Sequence, residues 1–371
     1  MVALRSGINA ARPAWPRATP GNGVAGLAQH LQLREGQIPP QLSTSIILGL
    51  VLSLAIGPIC IRVAEHLGMI DRPGARPYKI HAVATPRAGG IVIVIAGVAA
   101  ASLSGVVWER PLAALFLASM VIFAFGVCDD ARGMKAATKL VGQLLAVAIL
   151  MQGGIGVQML HSPIADAALT VFWVVGVTNA YNLVDSMDGE ALGLAGLAAG
   201  FLMLTMTSTG QEQGALFSAA VLGACGGLLY YNVTPARLFL GDSGSQVLGF
   251  WLAGLGIIFT PARTVPQLSS WFVPILIMIV PILDTTMVTV SRLRLRLPIY
   301  QGNRDHTYHR LVALGFSPQR AVLATHLGSA LAGCLAVVAL GLHPIWANGV
   351  FFVAVALGLA AVFWLGRTQS S

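Results

Sequence analysis

Asp129 and Asp130 stand side by side where an apolar run ends, in Phe125-Gly126-Val127-Cys128-Asp129-Asp130. Adjacent carboxylates repel unless a cation lies between them, and a hard, oxygen-liganded ion such as Mg²⁺ is the natural choice. Plain helix termination is the weaker reading, because the helix dipole disfavours an acid at a C-terminus. Asn179, Asn182 and Asp185 recur every three residues, roughly along one helical face. Amides and a carboxylate on one face suit a sugar, a base or metal-bound water. Asn232 is followed by Phe239-Leu240-Gly241-Asp242-Ser243-Gly244-Ser245. This Gly- and Ser-rich run enters an apolar segment, so its amides are expected to form an anion-binding nest at a helix start. Asp242 beside a diphosphate in that nest would serve as a metal ligand, and Phe239 could stack on a base.

Two basic loops complete the set. In the first, from Asp71 to Gly90, Lys79, His81 and Arg87 are suited to phosphate. Gly89-Gly90 is expected to let the backbone approach that phosphate at a helix start. The second runs from Arg292 to Arg310 and contains Arg304, His306 and His309. No cysteine set or HExxH accompanies these histidines, so zinc is a weak reading. Imidazoles among arginines fit a substrate phosphate better. Asp284, in Pro281-Ile282-Leu283-Asp284, is an acid inside an apolar run, where ionisable groups are costly and functional by default.

The elements that must position these residues follow from composition. The chain has 371 residues, of which 56% are hydrophobic and 10% charged, against about 25% charged in soluble domains. The mean hydropathy is +0.77. A soluble enzyme, a disordered chain and a disulfide-stapled secreted domain are excluded. The expected fold is all-α, a polytopic integral membrane protein. Apolar runs at 44–64, 88–107, 111–128, 138–155, 168–184, 191–209, 214–231, 245–260, 270–290, 320–342 and 344–365 give about eleven spans. Residues 1–43 are expected to be a tail without fixed structure, 44–366 the membrane domain and 367–371 a short C-terminal tail. Gly193, Gly196 and Gly200, and Gly223 with Gly227, are at small-residue spacing for close helix packing. Cys60, Cys128, Cys225 and Cys334 are scattered without a CxxC and are expected to be buried small residues.

Lys+Arg number 22 against 14 Asp+Glu, a net charge of +8. In a membrane protein this points to positive-inside loops, not to nucleic acid. Loops after odd-numbered spans carry most of the basic residues, while the others carry Arg110 and Arg263. The odd-loop face is therefore expected to be cytoplasmic. Asp71, Asp129, Asp130, Asp185, Asp188, Asp242, Asp284 and Asp305 fall on that same face.

Taken in order, Asp71 to Gly90, Asp129-Asp130, Asn179 to Gly189, Phe239 to Ser245, Pro281 to Asp284 and His306 to His309 resemble the motifs of a known family. It is the polyprenyl-phosphate N-acetylhexosamine-1-phosphate transferases, glycosyltransferase family 4. The form Arg304-Asp305-His306-x-x-His309-Arg310 resembles the WecA-type branch, a relative of the MraY-type phospho-N-acetylmuramoyl-pentapeptide transferases. Tyr308 stands where the family often has a further histidine. The resemblance implies transfer of a sugar 1-phosphate from a UDP-amino sugar to undecaprenyl or another polyprenyl phosphate, with release of UMP. N-acetylglucosamine is the favoured sugar; UDP-MurNAc-pentapeptide or another UDP-amino sugar is the alternative donor. The reaction begins a cell-envelope glycan at the cytoplasmic face of a bacterial inner membrane.

The resemblance also implies roles. Asp242 is the Mg²⁺ ligand, with Mn²⁺ as a substitute, and Asp185 with Asn182 adds metal or nucleotide contacts. Asp129 and Asp130 are the pair that positions the lipid phosphate, with one of them able to act as base, and together with Asp185, Asp242 and His306 they form the expected catalytic set. Lys139 matches a lysine of the site, Asn232 and Phe239 match positions near uracil, and His306 and His309 match a loop over the sugar diphosphate. A homodimer is among the expected partners. An ion-coupled transporter is the rival class, since membrane acids mark transporters too; a transport site, however, sits near the midplane.

Overall fold

The computed structural model describes residues 39–71, 84–259, 267–296 and 306–367. Its helices are α1 Pro40–His66, α2 Gly89–Leu103, α3 Arg110–Arg132, α4 Ala136–Gln152, α5 Pro163–Val184, α6 Glu190–Ser208 and α7 Glu212–Asn232. They continue as α8 Gly241–Ile258, α9 Val273–Ile277, α10 Ile279–Arg294, α11 Thr307–Ala313, α12 Pro318–Leu340 and α13 Pro344–Arg367. Among the described residues the only sheet is an antiparallel pair, β1 Ile70–Asp71 and β2 Thr85–Pro86. Among the described residues seven helices are long and apolar enough to cross a membrane; α2 and α4 are shorter apolar helices. The protein is an all-α, polytopic membrane protein.

Local sequence explains the helix limits. Proline lies in the first turn of α1, α3, α5 and α12, where its missing N–H costs nothing. The hydroxyls of Ser162 and Ser317 cap α5 and α12 by accepting from Ala165 N and Arg320 N. Ser162-Pro163 thereby starts α5 ahead of the expected 168. The run expected as one span over 270–290 is two helices, α9 and α10, meeting at Met278. Pro281 is the cause: it has no N–H for the Ile277 carbonyl and its ring clashes there.

Helices pack where side chains are small. The Ser45 hydroxyl donates to the Leu216 carbonyl at 2.9 Å. A Cβ at Gly223 would meet Ile46 O at 2.1 Å, and one at Gly227 would meet Leu50 O at 2.5 Å. The α1–α7 seam thus uses these glycines as the spacing suggests. Gly193 lies under the His326 ring, whereas Gly196 and Gly200 make ordinary contacts with α7. Cys60 and Cys225 are buried, but Cys128 and Cys334 are exposed. The expectation of four buried cysteines fails for these two, which face outward from α3 and α12.

The crossings alternate in direction. At one end lie the C-termini of α1, α3, α5 and α7 and the N-termini of α2, α4, α6 and α8, cross-linked by the bonds described next. At the other end Arg110 Nη2 donates to Gln152 O at 2.7 Å, and Trp271 Nε1 donates to Asn348 Oδ1 at 3.2 Å.

Candidate active site

Three helix ends meet first. The carboxylate of Asp130, near the end of α3, accepts from the backbone amides of Asp242 (2.8 Å) and Ser243 (3.0 Å) and from the Ser243 hydroxyl (2.6 Å). It caps α8, so the nest at Gly241–Ser245 is filled by the protein's own carboxylate and not left open for a diphosphate. Such a cap contributes on the order of 1 kcal/mol, and the positive helix end favours its charge. Helix α3 comes close enough because residue 126 is glycine: a Cβ there would meet Ser243 Cα at 2.4 Å. Gly89 N and Gly90 N donate to the carbonyls of Phe239 and Leu240, each at 2.9 Å. A Cβ at Gly90 would meet Gly244 N at 2.5 Å. The Gly89-Gly90 pair thus admits the backbone before α8, not a phosphate as expected from sequence.

Asp129 faces elsewhere. Its Oδ2 and that of Asp242 both lie 2.6 Å from Lys139 Nζ. Asn182 Nδ2 donates to Asp242 Oδ1 at 2.7 Å and to Ser245 Oγ at 3.0 Å. The Asp129 side chain is 9% exposed and that of Asp242 31%, so the cluster opens to solvent on the Asp242 side. The adjacent acids therefore divide: Asp130 holds a helix, while Asp129 joins an acid–lysine–acid bridge. Two carboxylates converging on one cation are a hard oxygen donor set. Mg²⁺ binds in this way, through one or two carboxylates completed by substrate phosphates and water. Among the described residues no group of three or more His, Cys, Asp or Glu gathers around one point; Asp129 and Asp242 are the donors such an ion would meet.

A second layer leans on this one. Asp185 follows the last residue of α5 and is partly buried. Burial pushes its carboxyl up to about 8, the Asp130 and Asp188 charges add to the shift and the Arg87 charge opposes it. Asn232 is buried and anchored at both ends of its amide: Oδ1 accepts from Gly189 N at 2.9 Å and Nδ2 donates to Leu238 O at 3.0 Å. It braces the loops on either side of the site. Phe239, partly exposed, is held through its backbone by Pro86 and Gly89.

The histidine loop docks onto the same layer. Asp284 Oδ2 lies 2.8 Å from His306 Nδ1, and Asp284 Oδ1 accepts from Thr307 N at 2.6 Å. Asp284 thus orients a histidine and caps α11. Tyr308 is buried; its hydroxyl lies 2.7 Å from both Ser186 Oγ and His309 Nε2. Arg87 Nη2 pairs with Asp71 Oδ2 at 2.8 Å. Lys79, His81 and Arg304 lie outside the described residues. Ser186 and Ser243 lie inside two of the motifs read from sequence, but their hydroxyls were not singled out, because the partners, Tyr308 and Asp130, are distant in sequence.

Residues 112–260 match the model of glycosyl transferase family 4. The chain is 32% identical to a "Probable undecaprenyl-phosphate N-acetylglucosaminyl 1-phosphate transferase" of Bacillus subtilis, over 77% of this chain and 82% of that protein. It is 31% identical to a "Decaprenyl-phosphate N-acetylglucosaminephosphotransferase" of Mycobacterium tuberculosis, over 82% of this chain and 84% of the relative. Identity to a "Phospho-N-acetylmuramoyl-pentapeptide-transferase" of Bacillus velezensis is 30%, over 58% of this chain and 74% of that one.

Proposed function

Because the chain belongs to glycosyl transferase family 4, we propose that it transfers N-acetylglucosamine 1-phosphate from UDP-N-acetylglucosamine to a polyprenyl phosphate such as undecaprenyl phosphate. The observation that carries the reading is the meeting of Asp129, Lys139, Asn182 and Asp242 at one end of an apolar bundle. A polar sugar nucleotide and a lipid phosphate can reach each other only at such a boundary. Acids gathered there, not at mid-membrane, leave the transporter reading without support.

In this reaction an oxygen of the lipid phosphate attacks the sugar-bearing phosphorus of the donor. The new P–O bond forms as the bond to the uridine-bearing phosphate breaks, and UMP departs with the bridging oxygen. A phosphate monoester has its second pKa near 6, so the attacking group is already largely dianionic at pH 7 and needs no strong base. The greater barrier is repulsion between anions. Mg²⁺, when bound, neutralises and orients phosphate oxygens; Asp242 and Asp129, the carboxylates that converge on Lys139, would hold it, with Asp185 as the further ligand that the resemblance implies, and Mn²⁺ takes the same oxygen ligands. Lys139 and Arg87 add positive charge, Asn182 fixes the Asp242 carboxylate, and His306 and His309 offer donors above the sugar diphosphate. Phe239 stacks on the uracil.

The site-bearing end faces the cytoplasm of a bacterial cell, where UDP-sugars are made; the basic residues at that end support this. The pentapeptide-linked donor is the second reading, and the shorter stretch matching the muramoyl-pentapeptide relative makes it the weaker one. Incubation of the purified protein with undecaprenyl phosphate, Mg²⁺ and each donor, followed by mass analysis of the lipid product, separates them. A product heavier by N-acetylglucosamine 1-phosphate supports the proposal; a product made only from the pentapeptide donor overturns it.

A further inference from the structure

Lys139, Asn182 and Asp242 come from three helices, and each has a carboxamide about one turn deeper on its own helix. These are Gln143 on α4, Asn179 on α5 and Gln246 on α8. The three amides meet. Gln143 Nε2 donates to Asn179 Oδ1 at 3.2 Å and to Gln246 Oε1 at 3.1 Å. Asn179 Nδ2 donates to Gln143 Oε1 and to the Val175 carbonyl, both at 2.8 Å. The Val175 carbonyl can only accept, so it fixes the Asn179 amide, which fixes Gln143, which in turn requires Gln246 to present its oxygen. Gln143 and Gln246 are each 2% exposed, and Gln246 Nε2 has no hydrogen-bond partner among the described residues.

Apolar side chains would fill this space without the cost of desolvating amides. What the amides add is direction: a shift of any helix by one residue separates donors from acceptors, much as one buried polar residue sets register in a coiled coil. We propose that Gln143, Asn179 and Gln246 are positioning residues, a carboxamide cluster beneath the site that holds α4, α5 and α8 in the register that brings Lys139, Asn182 and Asp242 together. This rests on the transferase reading above.

The two glutamines have different duties, which makes the inference testable. Gln246 serves only as an acceptor, so a neutral buried Glu replaces it. Gln143 must donate twice, which Glu cannot do. UMP release is measured on purified, detergent-solubilised protein, with the melting temperature of each variant. Gln246→Leu and Gln143→Leu are expected to lower kcat by about tenfold or more with KM for the lipid phosphate little changed. Gln246→Glu retains kcat, whereas Gln143→Glu behaves like Gln143→Leu. Leu255→Ala, a buried change farther along α8, lowers the melting temperature but leaves kcat per folded molecule unchanged. Wild-type kcat in Gln246→Leu, or equal loss in both Glu variants, overturns the inference. If a Leu variant fails to fold, the contrast between the Glu variants decides. Absence of UMP release from the wild-type protein would instead refute the transferase reading.

Discussion

Asp130 and Asp242 illustrate how two acids at one site carry separable duties. Asp130 accepts three hydrogen bonds at the start of α8. In Asp130→Asn one of the side-chain positions facing those donors becomes an N–H₂. The variant is expected to lose about 1–2 kcal/mol of stability together with activity, seen as a lowered melting temperature. Asp242→Asn keeps the oxygen that accepts from Asn182, and Lys139 keeps Asp129. It is expected to melt near the wild type while losing turnover; full activity would remove Asp242 from the proposed metal site. Asp185 adds a pH dependence. Its carboxyl titrates near 8 in the folded protein but near ~4 when unfolded. Between those values the folded state holds the extra proton, so this group's contribution to stability is full below about 4 and is lost as pH rises through about 8. Asp185→Asn should flatten the melting temperature–pH curve across that window. If Asp185 is a ligand of the proposed Mg²⁺, the ion must displace the same proton, so its affinity, measured by calorimetry, should increase from pH 6 to 8 in the wild type and change less in the variant. The sequence made these acids visible as types in apolar surroundings. It did not reveal that Asp130 points into α8, because its partners lie far along the chain.

Helices meet here through glycine more than through large side chains. Gly126→Ala would push a Cβ into the backbone of Ser243, where neither side can yield cheaply, and is expected to cost about 1–3 kcal/mol. It should also displace Asp130 and reduce turnover. Gly196→Ala, whose nearest neighbour would be Cys225 Cβ at 3.5 Å, should be neutral or slightly stabilising, since alanine is favoured over glycine in a helix. Thermal melts of the two variants side by side test this. Spans were legible because a bilayer demands long apolar runs, and the Gly223/Gly227 seam because small-residue spacing has one common use. The Gly89-Gly90 pair announced a close approach but not its partner, which is the Phe239–Leu240 backbone. The break at Met278 is dictated by Pro281, yet the surrounding apolar run reads as continuous.

Across the whole molecule the chemistry collects at one end, and the family assignment gives that end a reaction. If the end faces the cytoplasm, a membrane-impermeant thiol reagent applied to intact cells should label Glu109→Cys, at the opposite end, and spare Arg132→Cys, both in a cysteine-free background. Reversed labelling would invert the orientation. The most direct test of the central claim is UMP release by the purified protein with UDP-N-acetylglucosamine, undecaprenyl phosphate and Mg²⁺, with each component omitted in turn. Release that requires all three is the predicted result. Release independent of the lipid, or none from folded protein with any UDP-amino sugar, would contradict it.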